Sequence, residues 1–246
     1  MILAGIDLAW KSDKNTTAAA FGELDGTNLE VTHIYSALSS LPEVKNVIQS
    51  HHALRGIAID APLIINNKSG QRDCERQLSQ DYGARGASCH SSNLTKYSNH
   101  SSVELSQFLK DHGYTHLRNT VKGKFQIECY PHPAIIEMFG LTYRLPYKKG
   151  RVLDKKQGQI QLAGYIKGLG NSGVISLIIT GKCNPYLEDK YIDSLAGMSL
   201  KTNEDVLDSI ICLYIAALFV TSSPHKTYGR VADGYIYVPK KICNLQ

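Results

Sequence analysis

Two short apolar runs in this chain each stop at an aspartate, and they constrain its fold more than any other feature. Met1 to Ala9 closes on Gly5-Ile6-Asp7-Leu8-Ala9, and Gly56-Ile57-Ala58-Ile59-Asp60-Ala61-Pro62 repeats the pattern before a proline. Runs this short and this apolar read as strands buried on both faces. An acid that ends such a strand stands at its carboxyl end, at the border of the core.

The intervening residues determine how the two runs pair. A polar stretch, Lys11 to Asn15, turns into a second strand from Thr16 to Leu24. Asp25-Gly26 is a hairpin signal, and Leu29 to Ala37 reads as a third strand. Helical spacing follows from Leu41 to His51, with Leu41, Val44, Val47 and Ile48 on one face and Pro42 in the first turn. A strand, helix and strand in that order place the two strands parallel. The run ending in Asp60 is therefore expected beside the run ending in Asp7.

Farther along, Asp73 to Tyr82 has helical spacing, and Gly83 to Ser102, rich in Ser, Asn, Gly and His, is expected to be a loop. Val103 to His112 reads as an amphipathic helix stopped by Gly113. Phe125 to Tyr130 reads as a fifth strand, broken by Pro131-His132-Pro133, and Ala134 to Phe139 as a short helix. Helices are expected over 153–169, 186–198 and 203–221; the pattern at 173–180 is apolar but undecided. Gly234 to Pro239 is expected to be a short strand or extended segment. The predicted class is α/β: one domain over 1–246, with a mixed five-stranded sheet of order 3-2-1-4-5 flanked by helices, and an additional helical C-terminal half. Ligands in such sheets bind at the carboxyl ends of the strands where the order switches, here between strands 1 and 4.

Composition narrows the function classes. Hydrophobic residues at 43% and charged residues at 20% suit a folded globular chain. The longest apolar run, Ile210 to Val220, is about half of what a bilayer requires, so no membrane association is expected. No basic n-region precedes the first strand, so no secretory signal is expected. Six cysteines lack a framework spacing, and Cys129 and Cys212 sit inside apolar patterns, which points to a reducing, cytoplasmic setting. The net charge of +5 is mild, and its placement matters more than its sum.

Asp7 and Asp60, on neighbouring strand ends, would repel strongly unless a proton or cation lay between them. Oxygen-only ligands suit Mg2+ or Mn2+ rather than zinc. The competing interpretation is that each Asp merely caps its turn. Glu128 is a third candidate, because an acid inside a short apolar strand must be paired or ligating unless it faces solvent at an edge. Asp208 heads an otherwise apolar helical stripe through Ile211, Cys212 and Ile215, with Asp205 as an auxiliary one turn earlier. Glu204 and Asp205 also fit a first helical turn, where acids favour the helix dipole. Asp7, Asp60, Glu128 and Asp208 would then be both catalytic and metal-binding, with Asp205 a further ligand. Converging carboxylates suit two-metal phosphoryl chemistry, which needs no protein nucleophile. No Ser-His-Asp or Cys-His arrangement stands out.

Five motifs occur in order: Gly5-Ile6-Asp7-Leu8-Ala9-Trp10, Ala58-Ile59-Asp60-Ala61-Pro62-Leu63, Glu128-Cys129-Tyr130-Pro131-His132-Pro133, Leu207-Asp208-Ser209, and Gly234-Tyr235-Ile236-Tyr237-Val238-Pro239. Together they resemble an uncharacterised domain family described as predicted ribonuclease H-like nucleases, over nearly the whole chain. The resemblance implies a ribonuclease H-like fold, with Asp7, Asp60, Glu128 and Asp208 at the family's presumed metal positions. It also implies kinship with Holliday-junction resolvases. Arg72-Asp73-Cys74-Glu75-Arg76 resembles the family's Arg- and acid-rich helix start. Ser209, where alanine is expected, and the Ser/His/Asn-rich segment 86–102 depart from the family pattern.

Substrate contacts are expected from the basic segment holding Arg144, Lys148, Lys149, Arg151, Lys155 and Lys156, with Tyr143 and Tyr147 interleaved. Arg72 and Arg76 are placed to reach a phosphate or, equally, to pair with Asp73, Glu75 or Asp81; His132 to hydrogen-bond a phosphate, shuttle a proton or serve as a rigid buried turn residue; and Trp10 and Lys11 to border the substrate, Trp10 otherwise covering the sheet end. Cys74, Cys89 and His90 match no standard zinc spacing. The expected function is a metal-dependent nuclease acting on DNA or RNA, and a homodimer is compatible with the sequence. An actin- or sugar-kinase-like phosphotransferase would need a glycine after the first-strand Asp, where Leu8-Ala9-Trp10 stands. A non-catalytic binding module on the same scaffold is the third possibility.

Overall fold

The computed structural model describes residues 1–9, 15–96, 101–118 and 123–240. Both aspartate-terminated runs are strands. β1 (Ile2–Asp7), β2 (Thr17–Asp25) and β3 (Asn28–Leu38) form an antiparallel meander, α1 (Leu41–Ser50) crosses over, and β4 (Leu54–Asp60) returns parallel to β1. Ser40 caps α1 by accepting from the Glu43 N–H, and Val44 and Ile48 turn into the core. After α2 (Asp73–Tyr82) and α3 (Ser101–Asp111) come the edge strand β5 (Tyr114–His116), β6 (Lys124–Glu128) and α4 (Pro131–Met138). α5 (Val152–Gly168), β7 (Ser176–Ile179), α6 (Asp189–Ser194) and α7 (Met198–Val220) follow, and β8 (His225–Arg230) and β9 (Gly234–Pro239) form a hairpin.

The central sheet is mostly parallel and flanked by helices, and its order corrects the expected 3-2-1-4-5. It has seven strands, ordered β5-β6-β4-β1-β2-β3-β7. The two extra strands lie at its edges and carry little sequence signal. β5 is three residues long, and β7 is the undecided apolar stretch, which pairs in parallel with β3. Pro131 starts α4 rather than breaking the chain, since a first-turn proline has no N–H to satisfy. The helix expected over 186–198 is a 3-10 segment, Gly181–Leu187, followed by α6. α7 begins at Met198, so Glu204 and Asp205 lie beyond its first turn.

Alternation along the strands assigns each side chain to a face. Ala4, Ile6, Ile57 and Ile59 pack with Val44 and Ile48 of α1 and with Leu105 and Leu109 of α3. Leu3 and Ala58 pack on the other face with the apolar residues of α7. Gly5 lets α7 lie directly on β1: a Cβ there would stand 1.9 Å from the Leu213 amide nitrogen and 2.2 Å from the Ser209 carbonyl oxygen. Among the described residues, no helix is long and apolar enough to cross a membrane. Because backbone rather than a flexible side chain blocks that space, Gly5→Ala is expected to destabilise the fold by about 3 kcal/mol or more. Urea denaturation checks this, and an unchanged midpoint would contradict it.

Candidate metal centre

Asp7 and Asp60 end adjacent parallel strands and are register partners, so both point to the α7 face of the sheet. The close approach at Gly5 brings one face of α7 over the strand ends, and Asp205 and Asp208, one turn apart, lie on that face. Asp208 is wholly buried and Asp205 nearly so. Burial, and after it the Asp7 carboxylate, raises the Asp60 pKa well above the usual carboxylate range. Burial pushes Asp205 up to about 8, with Asp7 adding and Lys201 opposing. Asp208 is pushed up to about 6 by burial and Asp7, against Lys148. Asp7 therefore acts on all three, which makes it the electrostatic centre of the group.

Two lysines supply positive charge. Lys148 ion-pairs with Asp208, whose other oxygen accepts from the Tyr147 hydroxyl at 2.7 Å. Lys201 pairs with Asp205, and with Glu204 at 2.8 Å. The second oxygen of Asp205, Oδ2, is buried and has no hydrogen-bond partner among the described residues. A cleft of about 510 Å³ opens over the group, lined by Asp7, Asp60, Asp205, His132, Arg144 and Lys149 among others. Among the described residues, no three His, Cys, Asp or Glu side chains converge as a ready-made metal cage. Oxygen donors, with the orphaned Asp205 oxygen among them, are of the kind that Mg2+ or Mn2+ would take.

Glu128 ends β6, but it is level with Ile59, not Asp60, so its side chain leaves on the opposite face. There Arg72 donates to both of its oxygens, at 2.9 and 2.6 Å, and the Leu63 amide donates at 2.8 Å. Two expected roles meet other contacts instead. Glu128 is ion-paired with Arg72 on the opposite face, although it lines a smaller cavity together with Asp60, and Arg72 is buried between Glu128 and Glu75. Arg76 pairs with Asp73 at the surface, and Arg151, 86% exposed in its side chain, pairs with Asp154. Neither is among the residues lining the cleft. Of the basic segment, Arg144, Lys148 and Lys149 line it.

His132 also lines the cleft, buried against Tyr147 with ring centroids 5.1 Å apart. Burial, and then Lys148 and Arg144, lower its pKa well below the ordinary value. Cys74 is buried under the β8–β9 hairpin while Cys89 and His90 border the cleft, and no zinc group forms among the described residues. Trp10 and Lys11 lie outside the described residues. Lys201 is the member of the centre that the sequence does not single out; Tyr147 is expected there as an interleaved aromatic and Glu204 as a first-turn acid. An earlier start for α7 would have exposed the spacing of Lys201 to Glu204 and Asp205 as a same-face pairing.

The family described as Protein of unknown function (DUF429) matches residues 5–230, a span that takes in every acid of the centre. The chain belongs to the DUF429 family. No curated protein and no solved structure matches it. In this DUF429 protein, the buried Arg72–Glu128 pair sets the β6 end, so Arg72→Met is expected to cost about 3–5 kcal/mol, while Arg76→Ala stays within about 0.5. Chemical denaturation separates them, and equal effects would contradict the assignment.

Asp60, Asp205 and Asp208 bind protons more tightly folded than unfolded. The folded state therefore holds extra protons above the unfolded carboxylate range, and stability falls as pH rises toward about 8. A divalent cation bound among the acids would offset that loss where they are ionised. A fixed Mg2+ concentration, ~100 times the Kd that holds at about pH 8, is expected to raise Tm by roughly 5–10 °C at about pH 8 and by much less at about pH 5.5. Equal shifts at both pH values would contradict this.

Proposed function

We propose that this DUF429 protein is a divalent-metal-dependent phosphodiesterase of ribonuclease H-like design that cleaves nucleic acid. The observation that carries this reading is the lining of one cleft by Asp7, Asp60 and Asp205, whose buried Oδ2 lacks a hydrogen-bond partner among the described residues. A divalent ion held by Asp7, Asp60 and Asp205 would polarise a phosphoryl oxygen and acidify the attacking water.

The chain's own side chains do the rest. Arg144 and Lys149, on the cleft wall, attract and seat a polyanion, and exposed Tyr143 nearby offers a ring on which a base can stack. His132, kept neutral by burial, acts as a hydrogen-bonding group rather than a charged one. In the hydrolysis, the water oxygen bonds to phosphorus as the bond to the leaving sugar oxygen breaks. One water proton ends on that oxygen, and the other stays with the new monoester or the buffer.

A non-catalytic binding module is the second reading, favoured by the lysines that neutralise the acids unaided. Cleavage of mixed labelled DNA and RNA in Mg2+ or Mn2+ decides between them. Asp7→Asn and Asp60→Asn are each expected to lose at least about 100-fold in rate. Equal rates in wild type and variants would end the proposal, and binding without cleavage would support the second reading.

A further inference from the structure

We infer that Lys148 is a built-in cation standing in for a second divalent ion, so that the centre takes one ion, at Asp7, Asp60 and Asp205. This deepens the metal-dependent reading above and rests on it. The argument starts from what each acid on α7 has left to offer. Asp208 has no exposed surface; one oxygen accepts from the Tyr147 hydroxyl, and the other, which makes no hydrogen bond, is ion-paired with the Lys148 ammonium. Reaching a metal would require it to release both. Asp205, also buried, gives one oxygen to Lys201 and keeps Oδ2 without a hydrogen-bond partner among the described residues. His132 adds a second polar atom in that state: its Nδ1 is buried and unpartnered, and its residue lines the same cleft.

The two lysines differ in how firmly they are held. The Lys201 side chain is 44% exposed on the outer turn of α7 and can swing into solvent when an ion arrives. Lys148 is 21% exposed, and its neighbour Tyr147 is fully buried and anchored to Asp208. Tyr147 also packs its backbone over Gly158, where an added Cβ would stand 2.7 Å from the Tyr147 amide nitrogen. The segment carrying Lys148 is therefore clamped between α5 and α7. Lys148 also lines the same cleft as Asp7 and Asp60, whose charges act on its ammonium. A fixed ammonium among Asp7, Asp60 and Asp208 stabilises negative charge that builds on a substrate oxygen, which is the service a second ion gives elsewhere.

The test counts ions rather than turnovers. Mn2+ binding followed by electron paramagnetic resonance and calorimetry is expected to give one ion per wild-type chain. Lys148→Met, which leaves Asp208 an unengaged oxygen, is expected to give two, and Lys148→Arg, which keeps the charge, one. Two ions on the wild type would overturn the inference while leaving metal-dependent function standing. One ion on a folded Lys148→Met would also overturn it. No ion on the wild type would overturn this inference and the metal-dependent reading together. The wild-type count stands even if Lys148→Met fails to fold.

Discussion

Asp7 and Asp60 cannot move apart without unzipping two core strands. Their Cα atoms are paired in a parallel ladder, and the residues behind them, Ile6 and Ile59, are fully buried. The fold thus holds two half-buried carboxylates side by side on the cleft wall, and one carboxyl group, on Asp60, is driven far from its ordinary proton affinity by burial and by Asp7. Every other feature of the centre answers that concentration of negative charge. Lys148 and Lys201 reach in from two directions, and Asp205 and Asp208 are shielded by them. A site of this kind would gain stability from a cation that entered it, which connects the packing of the sheet to the proposed metal-dependent chemistry.

The position of α7 turns a pair of acids into a centre. The absence of a side chain at Gly5 allows the helix backbone to lie against β1, and the helix carries its acids on the face that meets the strand ends. The opposite face of the sheet carries a separate electrostatic unit, in which Arg72 joins Glu75 and Glu128. The two units share the carboxyl edge of the sheet and differ in purpose. The Arg72 group is internally satisfied and holds the start of α2 against β6, whereas the Asp7 group keeps a buried oxygen in reserve.

Much of this was legible in the sequence, for identifiable reasons. Long periodic segments and apolar runs ending in Asp specify strands 1 and 4, their parallel pairing, and the presence of Asp208 on a buried helical face. What could not be read depends on register. Glu128 looked like a third ligand because it ends a strand beside β4, but a one-residue offset sends its side chain to the other face. Arg72 looked ready for a phosphate because its buried partner lies 56 residues away along the chain. The edge strands β5 and β7 are too short to show a period. The start of α7 was misplaced because Met198 to Thr202 carries no capping signal, which hid Lys201 as the partner of Glu204 and Asp205.

Anomalous diffraction from crystals soaked in Mn2+ is the most direct probe of the claim that the strand-end acids share a cation. The account predicts one strong peak within coordination distance of carboxylate oxygens from Asp7, Asp60 and Asp205. A map with no peak there, with each carboxylate bonded only to its own lysine or backbone, would contradict it.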